Sequence, residues 1–285
     1  MGVIQFEISE SDFSRKLSSN YELSILHRMD SFVFMATDQQ QRLLLLRDCR
    51  LETSVDNPGA RVEELQRYIA QDSFLRQSFR SIRMGIVTEK YTLIPNRLFN
   101  PQEKNTYLEQ ITILPDDWQT KSDDLNGLAA QNVYAYPTKM LQFAREHFPG
   151  SRIYHIASAF LLAHRSLPDL LNGQKVFAHI WNRQFQLIYY EGRELQFVNM
   201  FSYHSSNDFI YYLMLLFDQF DLDPQTVPVY LSGQINTDSE IYRLLTRYVQ
   251  EVATMPAPAF LSLGKAFHAN PAYHYYDLFA LLPCS

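Results

Sequence analysis

Apolar residues along this chain recur in one succession that appears twice. In the first half, Leu23 and Ile25, then Phe32 and Phe34, then the leucine run 43–46 read as three extended segments. They are separated by Arg28-Met29-Asp30 and Asp38-Gln39-Gln40-Gln41, connections short enough to join antiparallel neighbours. Past Asn57-Pro58-Gly59, the positions Val62, Leu65, Ile69 and Leu75 fall roughly on one helical face, which predicts a helix over 61–79. The second half repeats the order: strands over 176–181, 184–190 and 194–200 around the turns Asn182-Arg183 and Glu191-Gly192-Arg193, then a helix from Asn207 carrying Phe209, Leu213, Leu216, Phe217 and Phe220. Laying Phe185 on Phe32 places Glu191 on Asp38, so the two hairpins keep step. The repeat is one of pattern rather than of side-chain identity, and it predicts a duplicated α/β fold.

The intervening stretches are less regular. Strands are expected over 82–88 and 91–95, a helix after Pro101, and extended chain over 106–114 and 132–136. Pro137 opens a helix over 138–148 that Pro149-Gly150 ends, followed by a strand over 153–156 and a helix over 157–164. In the second half a strand over 229–231 leads through Ser232-Gly233 to a helix over 237–251. The opening 20 residues are polar with isolated apolar positions, Ile4, Phe6, Ile8 and Phe13, and read as a loose cover. The expected organisation is an N-terminal extension (1–20), a first lobe (21–172), a second lobe (173–255) and a C-terminal tail (256–285) packing back on the body.

Composition narrows the function. A 46% hydrophobic content suffices for a substantial core. No stretch reaches the ~18 uninterrupted apolar residues of a membrane helix, and the start lacks the basic cap and apolar run of a secretory signal. The expectation is a cytoplasmic protein without membrane insertion. The net charge is −6 and the lysines and arginines are scattered singly, so attraction to a polyanion is not built in and nucleic acid is a disfavoured partner. Cys49 and Cys284 are too few for a disulfide framework or a zinc site. Glycine numbers only 9, against the roughly 7% of average usage, and phosphate-cradling loops are commonly made of glycine.

The element order resembles the actin-like ATPase superfamily, in which two ribonuclease-H-like lobes, each with an antiparallel three-strand meander plus parallel strands flanked by helices, face each other across a cleft. The resemblance rests on Tyr21-Glu22-Leu23-Ser24-Ile25, Tyr91-Thr92-Leu93-Ile94-Pro95, Val198-Asn199-Met200-Phe201-Ser202-Tyr203 with Asp208-Phe209-Ile210-Tyr211-Tyr212, and Val229-Tyr230-Leu231-Ser232-Gly233. These stretches look closest to a bacterial family of actin-fold proteins of unknown function, and pilus-assembly and cell-division actin homologues share the layout more distantly. The resemblance implies an Asp-x-Gly signature at the first hairpin turn of each lobe in members that hydrolyse ATP, where backbone amides hold phosphates and the Asp orients metal-bound water. Here the turns read Arg28-Met29-Asp30-Ser31-Phe32 and Trp181-Asn182-Arg183-Gln184-Phe185, without glycine, and the glycine-rich turn beneath the adenosine is reduced to Leu231-Ser232-Gly233-Gln234. Asp30, Asn182, Ser232 and Gly233 are therefore the candidate nucleotide-binding residues. ATP with magnesium is disfavoured, and no other cofactor is expected.

Other constellations have plainer readings. His147, His155 and His164 lack metal-ligand spacing. Ser202, Ser205, Ser206, His204 and Asp208 lie side by side, and Ser206-Asn207-Asp208 is what a helix N-terminus prefers. His268, Tyr273, His274, Tyr275, Tyr276 and Asp277 make either a binding surface or a self-packed tail. No Gly-x-Ser-x-Gly elbow, Walker loop or Cys-x-x-Cys occurs. The leading expectation is a non-catalytic actin-fold pseudo-enzyme that binds another protein or itself. The competing one is a nucleotide-dependent switch or small-molecule kinase with a non-standard cleft, and an RNA accessory role comes third.

Overall fold

A computed structural model of the chain describes residues 3–28, 30–52, 57–268 and 270–284. The chain divides into two compact units: Met1–Ala163 with Phe260–Ala269 and Ala280–Ser285, and His164–Ala259 with Asn270–Phe279.

The first unit begins with β1 (Val3–Ser9), β2 (Glu22–His27), β3 (Ser31–Thr37) and β4 (Arg42–Arg50), followed by α1 (Pro58–Gln71) and β5 (Ser81–Ile86). An insertion then supplies β6 (Tyr91–Pro95), α2 (Lys104–Glu109), β7 (Trp118–Leu125) and β8 (Ala130–Pro137), after which come α3 (Thr138–His147), β9 (Arg152–His155) and α4 (Ile156–Arg165). The main sheet has the order β1-β4-β3-β2-β5-β9; β4, β3 and β2 form the antiparallel meander, and β5 and β9 add in parallel. The inserted strands form their own sheet, β6-β8-β7, over a small core of Leu108, Val133 and Ala135.

The second unit repeats the plan with β10 (Gln174–Ile180), β11 (Gln184–Glu191), β12 (Glu194–Ser202), α5 (Ser206–Gln219), β13 (Val229–Gly233), α6 (Glu240–Leu245) and β14 (Val252–Thr254). Its sheet order, β12-β11-β10-β13-β14, matches β4-β3-β2-β5-β9, with β13 and β14 again parallel. One face of this sheet buries Ala178, Ile180, Leu187 and Leu231 against Phe209, Leu213, Phe217 and Leu245 of α5 and α6, each leucine, isoleucine and phenylalanine among them contributing about 1.5–3 kcal/mol. The C-terminal segment adds β15 (Ser262–Leu263), parallel to β4 in the first unit, and α7 (Tyr276–Phe279) in the second. Tyr276 there lies beside His164, whose ring also meets Phe177 and Tyr190.

Several elements depart from the sequence reading, each for a local reason. Ile4, Phe6 and Ile8 belong to a strand on β4 rather than to a loose cover. Helix α1 starts early because the Asn57 side chain accepts the Ala60 N–H and Pro58 takes the first turn. It stops before 79 because Asp72 Oδ1 accepts the N–H groups of Phe74 and Leu75, turning the chain while both side chains stay buried. Part of 106–114 is helical, with Leu108 buried and Ile111 and Ile113 exposed. β7 carries polar residues because it is an edge strand of a small sheet. The helix expected over 237–251 is only α6, since the chain leaves it to donate the Gln250 N–H to Pro224 and to lay β14 on β13.

Candidate functional site

Three of the four candidate residues, Asn182, Ser232 and Gly233, meet at one end of the second unit's sheet, because β13 lies parallel to β10 with Gly233 opposite Ile180. Gly233 has φ +86°, and a Cβ added to it would sit 2.1 Å from the Ile180 carbonyl oxygen. The chain is held there by the Gln234 N–H donating to that same oxygen at 2.7 Å, and Ile235 N–H donates to Gly233 O at 2.8 Å. This glycine is thus required by the approach of one backbone to another.

The hairpin before it is closed from within. Trp181 donates its N–H to Gln184 O at 2.8 Å, and Tyr203 N–H reaches Arg183 O at 2.9 Å. The Tyr203 hydroxyl donates to the carbonyl of Asn182 at 3.0 Å. Asn182 and Arg183 form the exposed tip.

Behind the hairpin lies a buried polar chain. The Ser232 hydroxyl is 2.8 Å from His179 Nδ1, and His179 Nε2 is 3.2 Å from Asp277 Oδ2, out of line for a straight hydrogen bond. The Trp181 indole N–H donates to Asp277 Oδ2 at 3.0 Å and Leu278 N–H donates to Oδ1 at 2.9 Å. A carboxylate on the Nε2 side favours a proton there, leaving Nδ1 to accept from Ser232. The order serine, histidine, aspartate has the outline of a nucleophilic triad. Ser232, His179 and Asp277 are 3%, 4% and 0% exposed, however, and the Gln234 amide beside them already serves Ile180. The chain works as a lock that ties α7 to the hairpin. Sequence reasoning grouped Asp277 with the aromatic tail and missed its place beside His179, from which it is separated by most of the second unit. His274 joins nearby, its Nε2 donating to Ile235 O at 3.0 Å and approaching Asn236 Oδ1 at 3.2 Å.

Asp30 belongs to the first unit. In its turn, Arg28 N–H donates to Ser31 O at 3.0 Å and Asp30 O accepts from Leu51 N–H at 2.9 Å; Met29 lies outside the described residues. Beneath sits Arg61 of α1, only 1% exposed. Its Nη2–H donates to Arg28 O at 2.8 Å and its Nε–H to His27 Nε2 at 3.2 Å. His27 therefore carries its proton on Nδ1 and donates to the Tyr136 hydroxyl at 2.5 Å. Burial, reinforced by the Arg61 charge, holds the His27 pKa well below the usual imidazole value.

The other sequence candidates resolve into structure. Asp208 and Ser205 form a reciprocal capping box at the start of α5. His155 and His164 are buried and kept neutral, with pKa values pushed down to about 4 and about 3 by burial. Asp123, beside Tyr134 and the His155 N–H, is pushed up to about 6 by burial. Among the described residues no group of three or more His, Cys, Asp or Glu could hold a metal ion, and no helix is long and apolar enough to cross a membrane.

The amides of Trp181, Gln234 and Ile235 already serve the chain's own carbonyls, the Gly233 cradle is filled by Ile180, and a carboxylate stands behind the hairpin.

Comparison with known proteins places these features in a family and a fold. The family described as "Protein of unknown function (DUF3822)" matches residues 10–252. Among curated proteins, none matches the sequence. A solved Bacteroides thetaiotaomicron protein with an actin-like ATPase fold and unknown function is 20% identical, covers 96% of this chain and 99% of its own, and superposes with a TM-score of 0.78. A chain of the PilM-PilN type IV pilus biogenesis complex is 13% identical over 91% of this chain and 97% of its own, with a TM-score of 0.61.

Proposed function

Because this chain belongs to the DUF3822 family, proteins of unknown function, and has the actin-like ATPase fold, we propose that it is a cytoplasmic binding protein that keeps the framework of the fold without turning over nucleotide. The observation that carries this reading is the closed end of the second unit's sheet. The Ile180 carbonyl fills the space over Gly233, and the Asp277 carboxylate lies against the Trp181 indole. A phosphate brought to this end would meet a like charge and donors already engaged. The scarcity of glycine supports the same view. That a fold relative, PilM, is found in a complex with PilN supports protein binding as the use to which such a framework is put.

The test is titration of the purified chain with ATP and magnesium, by calorimetry and by thermal shift. Stabilisation at about 1 mM ATP should stay below about 0.4 kcal/mol, which corresponds to a Kd of about 1 mM or weaker. A Kd near 10 μM, worth about 2.7 kcal/mol at the same concentration, would refute the proposal and favour a nucleotide-dependent switch or small-molecule kinase.

A further inference from the structure

The duplication lets one unit be checked against the other, and they differ at the outer edge of the meander. In the first unit that edge is filled: β1 runs antiparallel along β4 from Val3 opposite Arg50 to Ser9 opposite Leu45, and β15 adds beside Arg42 and Leu43. The corresponding strand of the second unit is β12, equal in length to β4 at 9 residues. Among the described residues no strand pairs with its outer edge.

Strand edges are ordinarily protected by charge, proline or a covering strand. From Leu195 to Ser202, β12 has neither a charged residue nor a proline. Its one irregularity lies at the Leu195 end, leaving 197–202 in regular register with β11. Tyr203 N–H points across the hairpin to Arg183, so alternation along the strand turns the N–H groups of Ser202, Met200 and Val198 to the outer edge. There the Met200 N–H is accepted by the side chain of the adjacent Asn199 at 2.9 Å, a local substitute for a strand carbonyl.

We propose that a second copy of this chain completes this edge, β12 pairing antiparallel with its own counterpart about a twofold axis at Val198. The antiparallel sense is the one the filled edge of the first unit uses, and an antiparallel strand pair is its own twofold mate. In this register Glu194 of one copy lies opposite Ser202 of the other and Asn199 opposite Phe197, so no like charges face each other. The two five-stranded sheets become one continuous sheet. The inference rests on the partner-binding reading and names the partner.

Sedimentation of the full chain from about 1 μM to about 1 mM should show a monomer–dimer equilibrium. Because one strand pair is smaller than a standard interface, the Kd should be on the order of 10–100 μM. Amide exchange at Val198, Met200 and Ser202 should slow as concentration rises. Asn199→Glu and Asn199→Lys each place like charges at diagonal positions of the pair and should weaken the dimer about threefold or more at low salt, while a mixture of the two variants restores it. Thermal melts of both variants check that the fold is kept. A chain monomeric throughout, amides that do not respond to concentration, or a dimer indifferent to both variants overturns the proposal. Protection of these amides only by a different protein overturns the second-copy assignment and leaves partner binding standing. Micromolar ATP binding by a chain that does dimerise through β12 overturns the nucleotide-free reading alone.

Discussion

Gly233→Ala separates a glycine kept for packing from one kept to admit a phosphate. In the free protein the substitution places a methyl group 2.1 Å from the Ile180 carbonyl oxygen and 2.9 Å from His179 Nε2, at a residue with φ +86°. The left-handed backbone alone costs about 1–2 kcal/mol for a residue with a Cβ. To reach ordinary contact the carbonyl must withdraw by more than an ångström, which breaks the 2.7 Å hydrogen bond from Gln234 N–H, worth about 1 kcal/mol, and leaves its groups poorly paired at about 1 kcal/mol more. Reduced freedom of the unfolded chain returns about 0.4–1 kcal/mol. The net loss is about 2–3 kcal/mol without any nucleotide present. The control is Gly192→Ala, at φ +57° with nothing within 4 Å of the added Cβ, which carries the backbone cost without the clash. Urea unfolding of both variants in nucleotide-free buffer reads the difference. If Gly233→Ala is no less stable than Gly192→Ala, the close approach at Ile180 is not what demands the glycine, and the argument that the cradle is filled collapses with it.

Three further perturbations probe the buried polar groups. Asp277→Ala strips the acceptor from the Trp181 indole and the Leu278 N–H and should cost about 3 kcal/mol; combined with Trp181→Phe the loss should fall short of the sum of the two, and strict additivity would contradict the lock. Arg61→Met keeps the bulk of α1's buried side chain but removes the donors to Arg28 O and His27 Nε2; stability should fall by about 2–4 kcal/mol, and the His27 pKa, followed by NMR, should rise because the neighbouring cation is gone. The third is acidification. A buried neutral histidine whose folded pKa lies below its ordinary 6.5 contributes stability that is present above 6.5 and lost as pH falls toward the folded value, about 4 for His155 and about 3 for His164. Each histidine removes up to about 1.4 kcal/mol per pH unit in its window. Asp123 has the opposite sign: its folded pKa of about 6 lies above its ordinary 3.8, so its burial penalty is relieved as pH falls from 6 toward 3.8. His164→Phe should therefore flatten the acid limb measured by urea melts at pH 7, 5.5 and 4.5, and an unchanged limb would show that His164 is not held neutral.

The elements readable in the sequence were those with strong apolar periodicity and short turns. The second meander and α5 fall within two residues of their expected bounds, because Phe209, Leu213, Leu216 and Phe217 face a single core and Ser205 caps the helix. The strands that escaped have their pattern blurred by position: β7 is a polar edge, and β1 sits at the rim, where Ile4 and Glu7 are both partly open. The extent of α1 escaped because Leu75 continues a helical spacing after Asp72 has already turned the chain, so a buried loop residue mimics a helix face. The site was half legible. Its glycine and serine follow a strand end that the pattern reveals, whereas His179 joins them through the parallel pairing of β10 with β13 and Asp277 through the return of the C-terminal segment, neither of which a local spacing encodes.

Two of the turns are closed by side chains rather than by glycine. Where bare backbone would grip a ligand, this chain supplies side chains that complete the backbone's own hydrogen bonds: the Tyr203 hydroxyl on the Asn182 carbonyl and Arg61 on the Arg28 carbonyl. The turn at Asn182-Arg183 is fixed this way with no residue at positive φ, whereas Gly127, Gly150, Gly173 and Gly192 supply positive φ elsewhere. Gly233 differs from these in being retained where one strand lies against another at a distance no side chain tolerates. Such a framework leaves strand edges and helix faces as its available surfaces, and among the described residues the edge of β12 is unpaired while its counterpart in the same chain is filled by a strand.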